Sequence, residues 1–557
     1  MFSDGKIYFA KTGENLSEKL YLNPKMANRH GFICGATGTG KTVTLKVLAE
    51  SFSEMGVPVF LADVKGDLSG MIAAGEDSAN MQERIKRFQL MESGFAYQAF
   101  PSAFFDIFGK GGIPLRTTVS EMGPQLMATV LDLNDTQSDV LSVVYKIADD
   151  ENLILSDTKD LKAILQYASE KSDEYELEYG RIAKASVTAI VRAIVALEAE
   201  GGDQFFGEPA INVSDFFTTD VNGKGQINIL DSSSLINKPK LYSAFMLYLL
   251  SELFEIMPEI GDPEKPRIVF FFDEAHLLFK TASDALMEKI EQMIKLIRSK
   301  GVGVYFITQS PGDIPNGVIA QLGNKIEHAL RAYTPAERKV LKAAAESFRE
   351  NPEFDTVELL SSLGTGEAIV SVLDEKGIPE VAKHAYILPP ESRMGQISDE
   401  ERERAVKTSN LYLKYNAAVD PDSAFEFLER RQQKLAEEIA EEKKEAAEAK
   451  ERLKEEKEAE KERLKAEKEA EKERLRAEKE AEKEKLKAEK EAEKAAERER
   501  RAVERSIKSV ASTAAGSIGR EAGHLFGKKL GGSFGKTLGG NIGASLGRNI
   551  LGTLFKH

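Results

Sequence analysis

The densest chemical signal in the chain is the run Gly35, Ala36, Thr37, Gly38, Thr39, Gly40, Lys41, Thr42, which fits G-x-x-x-x-G-K-[ST] at every position. Its glycines permit a tight loop whose backbone N–H groups turn inward around a phosphate. In such a loop Lys41 would reach the β- and γ-phosphates of a nucleotide and the Thr42 hydroxyl would ligate Mg²⁺, so ATP and Mg²⁺ are the expected cofactors. A second run, Ile268 to Phe272 followed by Asp273, Glu274, Ala275 and His276, delivers two acids from an unbroken apolar segment. Asp273 would hold the metal through water, and Glu274 would orient and polarise a water for attack on the γ-phosphate. Gln309 closes the apolar run Val302 to Thr308, where it could sense the γ-phosphate from a neighbouring strand. Asp63-Val64-Lys65-Gly66-Asp67 follows another such run and should open onto the same cleft, although a turn alone would explain its glycine. Cys34, the single cysteine, directly precedes the loop, where a small apolar side chain suffices, and is assigned no redox role.

These groups can meet only if the segments that deliver them lie side by side, with the ligand outside the carboxyl ends of parallel strands. Apolar runs flanked by turn residues alternate with helical segments through the first 390 residues or so, the pattern of a parallel α/β domain. The strands are expected at His30 to Cys34, Val57 to Ala62, Gln226 to Leu230, Ile268 to Phe272, Val302 to Thr308, Ile326 to Leu330 and Glu367 to Leu373. Between Leu115 and Gly207 the period becomes helical, with faces marked by Leu126, Val130, Leu131, Ile182, Val187, Ile190, Ile194 and Leu197. The expected organisation is a RecA-like α/β P-loop core in two parts, 1–114 and 208–397, split by a helical insertion at 115–207. A linker at 398–424 would lead to a charged helical rod at 425–506 and a Gly-rich helical tail at 507–557.

The rod contains an 11-residue unit repeated four times between Lys450 and Glu493, each with one leucine: Leu453, Leu464, Leu475 and Leu486. Alanines two and six residues after each leucine face the other way around a helix. Pairs such as Glu462 with Lys465 and Glu469 with Lys472 support a solvated helix on the order of 120 Å long. An 11-residue period can also build a right-handed coiled coil. In the tail, Gly519, Gly523, Gly527, Gly531, Gly535, Gly539, Gly543 and Gly547 keep a spacing of four, each preceded by an apolar residue. Eight helical glycines cost on the order of 8 kcal/mol against alanine, so this reads as a glycine-zipper packing element rather than a free helix.

Charge follows the same divisions. Residues 507–557 hold seven Lys or Arg against one acid (+6) and residues 425–506 hold 26 against 28 (−2), which leaves −19 of the total −15 to residues 1–424. An acidic body argues against a surface that coats nucleic acid or anionic membrane as a whole, and confines either contact to a channel or to the basic tail. One cysteine excludes an intramolecular disulfide and a multi-cysteine zinc site. No signal-peptide pattern opens the chain and no run of about 18 uncharged apolar residues occurs, so a cytoplasmic protein is expected, with peripheral membrane contact open to 507–557.

A phosphate loop with Asp-Glu-Ala-His superficially suggests a DEAH-box helicase, but that class needs a second RecA-like domain and no Q-x-x-G-R-x-x-R pattern occurs here. The chain instead resembles the YjgR-like bacterial branch of the HerA-FtsK ATPases. The likeness is carried by Asn28-Arg29-His30-Gly31, Asp63 to Gly70, Asp273 to Phe279, Arg298 to Gly303, Gln321-Leu322-Gly323, His328 to Arg331 and Pro389 to Arg393, and covers roughly residues 1–395. It implies a homo-oligomer, typically a hexameric ring, that couples ATP hydrolysis to DNA translocation. It also implies arginines supplied in trans: Arg298 by the family pattern and Arg331 as a second candidate. The 34 residues before Gly35 leave no room for the barrel with which HerA proteins dock a nuclease, so that partnership is not expected. An ATPase that remodels proteins or acts at an anionic membrane surface through its tail is the alternative reading.

Overall fold

Phe270 and Phe272 point to one side of their strand and Val269 and Phe271 to the other, and both sides are fully buried. A strand covered on both faces belongs in the middle of a sheet flanked by helices, which is why its sequence is apolar throughout instead of alternating. The computed structural model describes residues 2–492 except Asp4 and Thr281. Its strands are β1 (Phe2–Ser3), β2 (Lys6–Thr12), β3 (Glu18–Leu22), β4 (Gly31–Cys34), β5 (Val59–Asp63), β6 (Ser102–Asp106), β7 (Ile113–Pro114), β8 (Ile227–Asp231), β9 (Ile268–Phe272), β10 (Val302–Thr308), β11 (Asn324–His328), β12 (Glu367–Ser371) and β13 (Lys383–Ile387).

They form one sheet in the order β1-β2-β13-β12-β11-β4-β10-β9-β5-β8-β6-β7, with β3 on β2. From β11 to β7 every pairing is parallel, and from β11 outward to β1 every pairing is antiparallel. The expected α/β class and all seven expected strands are present. Gln226–Leu230 moves by one residue, Glu367–Leu373 stops at Ser371, and two others are displaced by up to two residues. β5 starts at Val59 because Pro58 has no N–H to donate and Val57 N still bonds Phe52 O at the preceding turn. β11 ends at His328 because Ala329 O accepts from Ala36 N and Leu330 N donates to Leu360 O, which takes the chain out of the ladder. β1 to β3, β6, β7 and β13 were not anticipated. β1 and β7 are two residues long, and Lys383–Ile387 alternates polar with apolar residues, while Lys6–Thr12 and Ser102–Asp106 are largely buried but carry polar residues at their ends.

The helix Lys41–Glu54 packs on one face of the sheet through Leu45, Leu48 and Phe52, against Phe271 and Tyr305. The other face is covered by Pro239–Ile256 and by helices from Val119–Val130 to Gly202–Phe205, which bury Leu141, Ile164 and Ile190 against the Phe60 and Phe270 side. The helices between Val119 and Phe205 therefore share one face of the sheet with Pro239–Ile256.

Short helices, Asp399–Thr408 and Tyr412–Tyr415, occupy the 398–424 stretch, and a helix Ala424–Ala492 follows. Its first turn is held by Asp160, whose carboxylate accepts from Ser423 Oγ (2.6 Å) and Phe425 N (2.8 Å). Within the described residues the chain divides into two units at Lys443. The glycine-zipper tail lies outside the described residues. No helix among the described residues is long and apolar enough to cross a membrane.

Candidate active site

β4, β10, β9 and β5 lie side by side and parallel, so the residues that follow them all emerge at the same edge. This brings the loop Gly35–Gly40, Gln309, the Asp273/Glu274 pair and the Asp63–Asp67 turn together, as their spacing in the chain alone could not. Arg331, after β11, is at this edge too, exposed, with Nη1 donating to Ser361 O (2.9 Å). Arg298 is not. It precedes β10 at the opposite edge, half-exposed, and its guanidinium pairs with Asp262 (3.4 Å).

The loop needs its glycines for two different reasons. Gly35 has φ +154°, and a Cβ there would lie 2.5 Å from His328 Cβ and 2.8 Å from Thr39 Oγ1. Gly38 and Gly40 have φ of +79° and +119°, backbone that L side chains adopt only under strain. Lys41 is buried, and its ammonium donates to Gly35 O (2.7 Å) and Ala36 O (3.2 Å) inside the loop. Burial lowers the Lys41 pKa and the Glu274 charge opposes that shift. Below the loop, His328 is fully buried, and burial pulls its pKa down to about 4, so the ring is neutral. Its Nδ1 faces Glu367 O and its Nε2 faces Thr44 Oγ1, both at 2.8 Å, which assigns the proton to Nδ1 and makes Nε2 the acceptor. His328 thereby ties the loop helix to β12.

Glu274 is the centre of the polar network. Its backbone sits at φ +47°, and Ala275 N is anchored to Ile307 O (2.8 Å). Its carboxylate accepts from Lys65 Nζ (2.7 Å) and from Gln309 Nε2 (3.0 and 3.1 Å to the two oxygens), with His276 Nδ1 at 3.4 Å. Gln309 Oε1 in turn accepts from Thr37 Oγ1 (3.2 Å), so a single chain of bonds joins the phosphate loop to the glutamate. Burial would raise the Glu274 pKa, but Lys65 and Gln309 outweigh it and hold the group below its ordinary value. Asp273 next to it moves the other way, up to about 6, through burial and the neighbouring Glu274 charge. Two adjacent acids are thus driven apart, one firmly anionic and one easily protonated without a cation beside it.

Lys65 is the partner of Glu274 that reasoning from sequence passed over. The run that contains it was singled out, but a lysine in a turn carries no sign of its target. Asp63 builds the turn by accepting from Lys65 N, Gly66 N and Leu68 N, and burial with the nearby Asp67 lifts its pKa to about 7. The segment 391–397 straps this turn down: Gln396 Nε2 donates to Lys65 O, Gly70 N to Gly395 O (3.1 Å), and Ile397 N to Ser69 Oγ (3.1 Å). Beneath the strap, buried Glu50 of the loop helix accepts from Glu391 N (2.8 Å) and Ser392 N (3.2 Å). The motifs at the other edge are structural. His30 bridges Ile294 O and Val304 N, and Gly31 has no side chain because a Cβ would lie 2.2 Å from the Tyr305 ring.

The donor set fits Mg²⁺ with a triphosphate. Thr42 has a hydroxyl with no hydrogen bond among the described residues, and Asp273 is a buried hard oxygen ligand at the same edge. No cluster of three or more His, Cys, Asp or Glu that could hold a metal occurs among the described residues. A cavity of about 690 Å³ opens beside Lys65, and its mixed lining, Asp106, Asp231 and Asp399 against Lys110, Arg402 and Lys407, is no basic groove.

A glycine-rich loop between a central parallel strand and a helix, with two acids ending the strand two places along, defines a P-loop nucleoside triphosphatase fold. The chain belongs to the helicase HerA-like C-terminal family, whose model matches residues 9–537. It is similar to the DNA double-strand break repair helicase HerA of Sulfolobus acidocaldarius, 23% identical over 391 residues, covering 66% of this chain and 67% of that one. The HerA of Sulfurisphaera tokodaii is 23% identical over 388 residues, with the same coverage. Among solved structures, the bacterial conjugative coupling protein TrwBdeltaN70 superimposes with a TM-score of 0.47 at 13% identity, covering 70% of this chain and 91% of that one. VirB4 of Thermoanaerobacter pseudethanolicus gives 0.43 at 17% identity, covering 72% and 99%.

Proposed function

We propose that the protein is a Mg²⁺-dependent ATPase that works as a DNA-translocating, helicase-like motor in an oligomeric ring. The observation that carries the catalytic part is the bond chain Thr37–Gln309–Glu274–Lys65, which links the phosphate loop to an ionised, oriented carboxylate. The loop N–H groups and Lys41 bind the phosphates, and Glu274 orients a water by accepting its proton in a hydrogen bond. Gln309 reports the state of the loop to Glu274. Thr42 and Asp273 would hold Mg²⁺, which when bound would supply charge neutralisation at the phosphates. Arg298 and Arg331 are assigned to the neighbouring subunit's site, since neither contacts the loop within its own chain. Family membership and the relatives named HerA support the DNA part of the reading.

The test is ATP turnover measured alone, with double- and single-stranded DNA, and with anionic liposomes. DNA should raise the rate severalfold, and Glu274→Gln should keep nucleotide binding while turnover drops on the order of a hundredfold or more. Turnover in Glu274→Gln at the parent rate overturns the catalytic assignment. A rate that responds to liposomes and not to DNA overturns the DNA assignment in favour of a membrane-surface ATPase.

A further inference from the structure

The helix Ala424–Ala492 presents a surface that ATP hydrolysis does not use. Leu453, Leu464 and Leu475 recur every 11 residues and are each about half exposed, at 52, 51 and 48%. Eleven residues make three helical turns plus about 20°, so the three leucines fall on one line that drifts only about 40° over about 33 Å. The gaps on that line always hold the same two charges. Lys457 and Lys468 stand four residues after a leucine, and Glu460 and Glu471 stand seven after. All four are exposed. Read along the helix, the line is Leu, Lys, Glu, Leu, Lys, Glu, Leu. Ala459, Ala466 and Ala470 lie on the far side.

We propose that this line is the seam for a second copy of the same helix, and that the two helices run antiparallel. The order of charges sets the polarity. In a parallel pair in register, lysine meets lysine and glutamate meets glutamate in every gap. A parallel pair slipped to match opposite charges sets leucine against a charge. In an antiparallel pair centred on Leu464, Leu453 meets the other copy's Leu475, Lys457 its Glu471, and Glu460 its Lys468. These three leucines then meet leucines, and each of the four charges between them meets its opposite. Exposed ion pairs contribute little attraction individually, so their role here is to exclude the parallel arrangement while the leucines supply the contact. The 11-residue period gives such a pair a right-handed twist. A lipid surface is a poor fit, because it wants a broad apolar face and this one is a single leucine wide.

Site-directed cross-linking on the full-length chain decides the matter, because Cys34 is the only native cysteine and is buried. Under mild oxidation Leu464→Cys alone should form an intermolecular disulfide. Leu453→Cys and Leu475→Cys should each fail alone and cross-link when mixed. Raising the salt concentration should blur this selectivity severalfold. Self-linking of Leu453→Cys and Leu475→Cys as efficient as that of Leu464→Cys would mean a parallel pair and overturn the proposal. So would equal yields from Ala459→Cys and Ala466→Cys, which would signal random collision, or no cross-link from any variant. Sedimentation of the protein with phosphatidylserine vesicles, lost on replacing the leucines and unaccompanied by cross-linking, would assign the line to a lipid surface instead.

Discussion

The Lys65 ammonium lies 2.7 Å from the Glu274 carboxylate although 209 residues separate them in the chain. The pair exists because β5 and β9 are adjacent and parallel, so the turn after one and the acids after the other share an edge. Lys65 is also the cation that keeps Glu274 ionised against the cost of its burial.

Lys65→Ala should therefore impair turnover far more than binding. We expect kcat to fall on the order of tenfold to a hundredfold, with nucleotide affinity changed by less than about threefold, read by steady-state assay and by titration with a fluorescent nucleotide. Removing the cation raises the Glu274 pKa, so the acidic limb of the pH–rate profile should move to higher pH. An unchanged limb would separate Lys65 from the catalytic carboxylate.

Gly35→Ala places a methyl group where His328 Cβ and Thr39 Oγ1 already stand, at 2.5 and 2.8 Å. His328 is locked between Thr44 and Glu367 and cannot withdraw. The cost should be about 2 kcal/mol or more in urea unfolding, with nucleotide binding lost as the loop distorts. Parent-like stability would show that the loop is looser than the contacts imply.

Arg331 and Arg298 stand at opposite edges of the sheet, so they make different predictions across a subunit boundary. Arg331→Ala and Lys41→Ala chains, each nearly inactive alone, should regain measurable turnover when mixed, because one interface in the mixed ring pairs a sound loop with a sound arginine. The same mixing experiment with Arg298→Ala tests the arginine that follows the family pattern. Absence of recovery in verified mixed oligomers removes the arginine concerned from the site.

Glu327 is fully buried in β11, and burial lifts its pKa to about 8. The folded state thus keeps a proton that the unfolded chain releases near pH 4.5. Stability attributable to this group is present below that pH and is lost progressively as the pH rises to about 8. Thermal melts of Glu327→Gln should show a smaller loss of stability across pH 5 to 8 than the parent, by on the order of a few kcal/mol. Parallel pH profiles for the two proteins would mean that Glu327 is solvated or paired.

Sequence alone was enough for the parts whose physics is local. The phosphate loop announces itself because left-handed backbone at Gly38 and Gly40 demands glycine within a few residues of Lys41 and Thr42. Central strands such as Ile268–Phe272 are legible because burial on both faces leaves no polar position. The two charged blocks at the end of the chain are legible from composition. Tertiary structure decided everything that depends on which strands are neighbours. The sheet order places Lys65 on Glu274, brings Gln309 between Glu274 and Thr37, sends Arg298 to the far edge, and turns Asn28-Arg29-His30-Gly31 and Pro389 to Arg393 into supports beneath the site. Adjacency in a sheet is set by the packing of whole layers, and a lysine in a turn holds no trace of a carboxylate that arrives from a strand two hundred residues later.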